Sequence, residues 1–228
     1  NSVIEAYHSY LENRAALIAV QREKVQSAAQ TIEQFIREIE GQLGWTTHAT
    51  FLAGQGAADQ RHFDFLRLLR QAPAVTEAAY LDATGREQVK VSRLSMDLVG
   101  SKADRSGEES FKIAKETRRH VGPIYFRKES EPYLTLAIAS GGSRAGVTVA
   151  EVNLKFIWDV VSRISIGRAG LAYVVDDRGL LIAHPDIGLV LRKTDFSRLR
   201  QVAAVLQPAT GNAARPFPSI ARDRERPP

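Results

Sequence analysis

Cysteine is absent from the 228 residues. That one absence excludes disulfides, thiolate metal sites, iron–sulfur clusters and a cysteine nucleophile. It leaves the compartment open, because a bacterial periplasmic domain does without cysteines as easily as a cytosolic one. Long apolar runs are also missing: the longest clean ones resemble Leu134 to Ala139, far short of the roughly 18 residues of a membrane span. Charge of one sign is nowhere gathered into a block. The 31 basic and 26 acidic residues are interspersed, and the net charge of +5 favours solubility over nucleic-acid binding, with no aromatic-interleaved basic stripe. The chain starts at Asn1 without an initiator Met or a charged-then-apolar leader, which is expected of a piece of something larger. What is present is 44% apolar and 25% charged, enough for a sizeable core in one large or two small domains.

Proline is absent up to about Leu43 and the first glycine is Gly41, in a stretch rich in Ala, Glu, Gln, Arg and Ile. This is the composition of a long helix. Ile4, Leu11, Ile18, Val25, Ile32 and Ile39 recur every seven residues, with Tyr7, Ala28 and Phe35 at the complementary offset. Such a helix would run roughly 65 Å at about 1.5 Å per residue. It must lean on two domains, on another helix, or on both.

After glycines at 41, 44, 54 and 56, a short amphipathic piece carries Phe63, Phe65, Leu66, Leu68 and Leu69 and stops at Pro73. The period then changes. Val75 to Leu81 and Gln88 to Leu94, around Asp82-Ala-Thr-Gly85, read as two strands and a tight turn. Ser95 to Gly107 reads as a loop and Ser110 to Arg119 as a short helix. Three more strands are expected at Gly122 to Lys128, Tyr133 to Ser140 and Gly146 to Leu154, the last two joined at Gly141-Gly142-Ser143. Phe156 to Ile164 reads as a connecting helix, ended by Gly167 and Gly170. Leu171 to Val175 and Leu180 to His184 form a second strand pair around Asp176-Asp-Arg-Gly179, and Asp195 to Leu206 a helix; beyond it no strand pattern is visible.

The two Asp-x-x-Gly turns lie 94 residues apart, each opening a strand-rich unit behind a strand that carries a tyrosine. One such turn is common; the pair suggests two related modules in tandem.

The segment Tyr173-Val-Val-Asp-Asp-Arg-Gly179-Leu-Leu-Ile-Ala-His184-Pro185-Asp186 strongly resembles the hallmark of bacterial double Cache sensor domains: strand, Asp-x-x-Gly turn, strand, His-Pro. Glu131-Pro132 to Ala139 and Gly146 to Leu154 resemble that family's last two distal strands. The resemblance covers about residues 1 to 206. It implies an α+β chain with a long N-terminal helix over 1–46, a membrane-distal PAS-like module over 47–155, a connecting helix over 156–168 and a membrane-proximal PAS-like module over 169–228. Both modules would carry antiparallel sheets, the second truncated and followed by a tail. It further implies a periplasmic ligand-sensing ectodomain of an inner-membrane receptor, flanked by transmembrane helices. The output is expected to be a histidine kinase, with a nucleotide cyclase or chemoreceptor as alternatives. No cofactor is expected.

In that family an acidic residue on the final distal strand often receives a ligand amine; Glu151 holds the matching place, and an exposed strand glutamate is the plain alternative. The family's Arg followed by Trp-Tyr is reduced here to Arg105 and Phe111, which puts a standard amino-acid ligand in doubt. Tyr125, Arg127, Glu129 and Tyr133 crowd one hairpin, where Arg127 could fork onto a carboxylate between tyrosine walls or simply pair with a glutamate across the strands. Arg93 either points into the same space or stays on the surface. His184 reads as structural. The five histidines lack metal-site spacing, Ser140-Gly-Gly-Ser143 is no nucleophile elbow, and no catalysis is expected of the chain itself. The leading expectation is therefore a sensor for a small polar ligand bearing an amine or carboxylate, with dimerisation through the N-terminal heptads as an open option. The competing class is a structural spacer or a partner-protein-binding ectodomain.

Overall fold

The structure, a computed structural model, describes residues 2–48, 55–128, 131–141, 146–164, 171–206 and 219–223. The expected long helix is present as α1 (Ser2–His48), unbroken by Gly41 or Gly44. The chain divides into two compact units, Phe35–Phe156 and Asn1–Gln34 with Ile157–Pro228.

The first unit holds α2 (Gln55–Gln71), β1 (Val75–Leu81), β2 (Glu87–Ser92), β3 (Leu98–Val99), α3 (Glu109–Thr117), β4 (Arg119–Val121), β5 (Tyr125–Arg127), β6 (Glu131–Ala139) and β7 (Val147–Asn153). Its strands form one antiparallel sheet ordered β3-β2-β1-β7-β6-β4, with β5 pairing on the other stretch of β6. Side chains alternate between the faces. On the even face of β1, Tyr80 lies under the Arg61 guanidinium of α2, 3.5 Å from ring centroid to carbon, and α2 buries Phe65, Leu68 and Leu69. The last turns of α1 bury Ile36, Ile39 and Leu43 in this unit, and Phe35 stacks on Phe156 at 4.5 Å. On the odd face α3 covers only one end of the sheet. Its Phe111 and Ala114 pack with Leu81, Ala137, Ala139, Val147 and Val149. A nine-residue helix is marginal alone, so this burial, worth about 2–3 kcal/mol for the phenylalanine, holds it in place.

The sequence reading needs local correction here. The segment read as a loop, 95–107, contains β3, whose two residues are too few for an alternating pattern. The strand expected over 122–128 is shortened to β5, and an unexpected strand, β4, precedes it where the helix was read to Arg119; Pro123, with no N–H to continue a ladder, lies between the two.

The second unit carries most of α4 (Lys155–Ser162), then β8 (Leu171–Val175), β9 (Leu181–Ala183), α5 (Ile187–Leu191), α6 (Arg200–Leu206) and β10 (Ser219–Asp223). They include an antiparallel sheet ordered β10-β8-β9. The strand after residue 206 is a further correction: β10 pairs along all of β8, from Ser219 opposite Val175 to Asp223 opposite Leu171. The core includes Tyr173, which meets the Phe196 ring edge-on at 5.2 Å, and His184, whose backbone carbonyl accepts the Trp158 indole N–H at 2.9 Å. His184 Nδ1 accepts the Asp186 N–H at 2.8 Å, which agrees with a turn-fixing role.

The tandem turns match in detail. Asp82 accepts from the Thr84 and Arg86 N–H at 2.8 and 3.1 Å; Asp176 accepts from Arg178 and Leu180 at 3.0 and 2.8 Å. Gly85 and Gly179 take φ of +84° and +88°. A serine backs each glycine, Ser106 and Ser197, and each serine N–H is held by an aspartate two residues earlier, Asp104 and Asp195.

Candidate functional site

The end of the odd sheet face that α3 leaves uncovered is polar. Glu151 on β7 faces Thr135 on β6 and Glu77 on β1 as register partner of each, and Tyr125 on β5 faces Tyr133 on β6. All but the buried Tyr133 are half-buried. The Glu151 carboxylate accepts the Tyr125 hydroxyl and the Thr135 hydroxyl, the latter at 3.1 and 3.2 Å to its two oxygens. Arg127 lies over the Tyr133 ring at 4.9 Å and 6.0 Å from that of Tyr125. The tyrosines stand as two walls 6.1 Å apart.

Electrostatics binds the group together. Burial, then the hydrogen bond to Glu151 and its negative charge, push the Tyr125 phenol far above its ordinary range, with Arg127 opposing. Burial works against the charge of Arg127, yet attraction to Tyr125, Glu151 and Glu77 outweighs it and holds the pKa above the usual arginine value. The cation therefore stays charged.

Asn153 closes the site at the end of β7. Its amide N–H donates to the Tyr133 hydroxyl at 3.1 Å, and its carbonyl accepts the N–H of Lys155, first residue of α4, at 2.8 Å. The Tyr133 hydroxyl in turn donates to Glu131 at 3.2 Å.

Of the residues singled out from sequence, Glu151, Tyr125, Arg127 and Tyr133 are thus brought together. Glu129 lies outside the described residues. Arg93 is elsewhere engaged: its guanidinium donates to the backbone carbonyls of Leu69 at the end of α2 and of Val75, the latter at 3.3 Å. Arg105 grips Glu108 at 2.6 and 2.8 Å and Glu87, at the start of β2, at 3.2 Å, so its guanidinium is engaged by these two carboxylates. Sequence reasoning missed Glu77, Lys90, Thr135 and Asn153. The available signal was the register, since β1 carries Glu77 on the same face as Ala79 and Leu81, opposite Glu151.

A hollow of about 280 Å³ in this unit lies apart from these charges, against Gln42, Trp45, Asp64 and Arg67. Its Trp45 is 80% exposed, so it is an open groove; the converging charges single out the sheet face as the candidate site. Among the described residues, no group of three or more His, Asp or Glu is placed to hold a metal, and no helix is long and apolar enough to cross a membrane.

No family model matches the chain. Solved structures do match. The sensory domain of the Campylobacter jejuni chemoreceptor Tlp3, with isoleucine bound, is 15% identical, with a TM-score of 0.60 over 87% of this chain and 80% of that one. The ligand-binding domain of the Pseudomonas aeruginosa PAO1 amino-acid chemoreceptor PctC, in complex with GABA, is 19% identical, with a TM-score of 0.58 over 84% and 82%. An extracellular domain assigned to a histidine kinase is 18% identical, with a TM-score of 0.64 over 90% and 86%. The fold is therefore shared with these sensory and extracellular domains of chemoreceptors and histidine kinases, and the α+β architecture expected from the sequence is the one found.

Proposed function

We propose that this chain is the extracytoplasmic ligand-sensing region of a bacterial membrane receptor, and that the polar end of the sheet face binds a small zwitterionic metabolite. The observation that carries this reading is the meeting of Glu151 and Arg127 between two tyrosine walls, on a half-buried face that α3 leaves open. A carboxylate and a charged guanidinium so placed suit an ammonium and a carboxylate on one ligand. That the Tlp3 and PctC domains hold isoleucine and GABA supports this ligand class. The 47–155 region would be the membrane-distal module, 156–168 the connecting helix and 169–228 the membrane-proximal module, between transmembrane helices in the periplasm. The histidine kinase among the neighbours supports a kinase output, and the heptads of α1 support a dimer through that helix.

A partner-protein reading is favoured by one observation, the exposed indole of Trp45 beside an open groove. The two separate in thermal denaturation against amino acids, amines and small carboxylates, because a ligand that binds only the folded state raises the midpoint by mass action. A shift lost in Glu151→Ala and Arg127→Ala supports the sensor. No shift with any compound, or a shift both variants keep, overturns it at this site.

A further inference from the structure

Glu77 and Lys90 form a cross-strand ion pair beside the site. Glu77 faces Glu151 across the β1–β7 ladder, so the two carboxylates spring from Cβ atoms about 5 Å apart, an arrangement that destabilises a sheet unless each charge is otherwise satisfied. Lys90, on β2 beyond β1, reaches Glu77 at 2.9 Å. Their side chains are 23% and 15% exposed, so the pair is largely desolvated, a setting in which apolar residues serve stability as well or better. The neighbouring positions of the same face, Ala79, Leu81 and Val149, are apolar and buried. The charge of Glu77 acts on Arg127, so both charge pairs share one electrostatic space.

Across the strands the face thus presents a cation and an anion at one end, Lys90 and Glu77, and an anion and a cation at the other, Glu151 and Arg127. One strand spacing, about 4.8 Å, separates the two carboxylate-bearing strands. Resting on the ligand-sensing reading of this face, we infer that Glu77 and Lys90 are the specificity end of the site. They receive a neutral side-chain group that donates one hydrogen bond and accepts another, as a carboxamide does, on an amino acid whose ammonium and carboxylate are held by Glu151 and Arg127. The carboxamide N–H would donate to Glu77 and its oxygen accept from the Lys90 ammonium. An anionic side chain meets Glu77, a cationic one meets Lys90, and an apolar one desolvates the pair further while offering neither charge a hydrogen bond.

Calorimetric titration of the wild type with L-glutamine, L-asparagine, L-leucine, L-glutamate and L-lysine tests this. One of the two amides is expected to bind about 10- to 100-fold more tightly than the other three probes, the range set by hydrogen bonds to charged groups. The Glu77→Gln/Lys90→Met double variant is expected to bring that ratio close to one. The wild-type ranking needs no variant to fold: leucine, glutamate or lysine binding as tightly as both amides overturns the inference, as does no binding of any probe. If Glu151→Ala abolishes binding while the double variant keeps the ratio, the specificity assignment alone fails. If Glu151→Ala leaves binding unchanged, the sensor reading of this face fails with it.

Discussion

Arg105 reaches Glu87 at 3.2 Å, tying the start of β2 to the segment that leads into α3. Glu87 is only 4% exposed and also accepts the Ser101 hydroxyl at 2.7 Å, while Arg105 holds Glu108, the residue before α3, with its other edge. The bridge fixes the cover over the apolar end of the sheet and so defines where the open, polar end begins.

Glu87→Ala is therefore expected to destabilise the protein by about 2–3 kcal/mol, since it leaves a mostly buried guanidinium half-paired. Chemical denaturation measures this, and a loss below about 0.5 kcal/mol would show that the bridge does not hold the cover.

Tyr125 sets an alkaline signature. Its pKa is raised above the ordinary value near 10, chiefly by burial and then by Glu151. A group shifted upward on folding contributes its stability in full below the unfolded value and loses it as the pH rises through the folded value. The contribution is thus intact at neutral pH and declines only in the strongly alkaline range above about 10. Spectrophotometric titration is expected to show a tyrosine that stays un-ionised beyond the normal range in the wild type and is missing in Tyr125→Phe.

Gly85→Ala and Gly179→Ala are each expected to cost about 1–2 kcal/mol from the left-handed backbone alone. The new Cβ would also lie 2.5 Å from the Ser106 Cα in one turn and 2.7 Å from the Ser197 Cα in the other, which adds to the loss. Denaturation midpoints of both variants, with Ala inserted at the open Gly107 as a control, distinguish this from a general effect of the substitution.

Arg93→Ala is expected to lower thermal stability, because the carbonyl of Leu69 in the last turn of α2 loses its donor, and to leave ligand affinity unchanged. An altered affinity with an unaltered melting midpoint would return Arg93 to the binding face.

Much of this fold was legible because single residues forbid alternatives. The absence of proline before Leu43 allowed a continuous α1, and the paired Asp-x-x-Gly turns announced two hairpins whose side-chain caps proved the same. The equally repeated Asp104-x-Ser106 and Asp195-x-Ser197 elements went unread, because their partners are glycines about 20 residues away in sequence and only the folded turn brings them together. β10 was illegible for another reason: Ser219-Ile-Ala-Arg-Asp223 has no alternating apolar pattern, and it is defined by pairing on β8. At the site, Glu151 and Arg127 stood out by residue type on recognisable strands. Glu77 and Lys90 did not, since a Glu and a Lys on neighbouring strands read as solvated polar positions until the register places them beside Glu151.

The Asn153 side chain is a strut of fixed length. Its planar amide spans from the Tyr133 hydroxyl, a wall of the site, to the first N–H of α4, and it cannot follow one end outward without letting go of the other. On the ligand-sensing reading, a molecule that displaces the tyrosine would break one of these two bonds and loosen the start of α4, at a cost of about 1 kcal/mol for a lost cap. The hydrogen-exchange rate of the Lys155 amide would then report remotely on occupancy of the face.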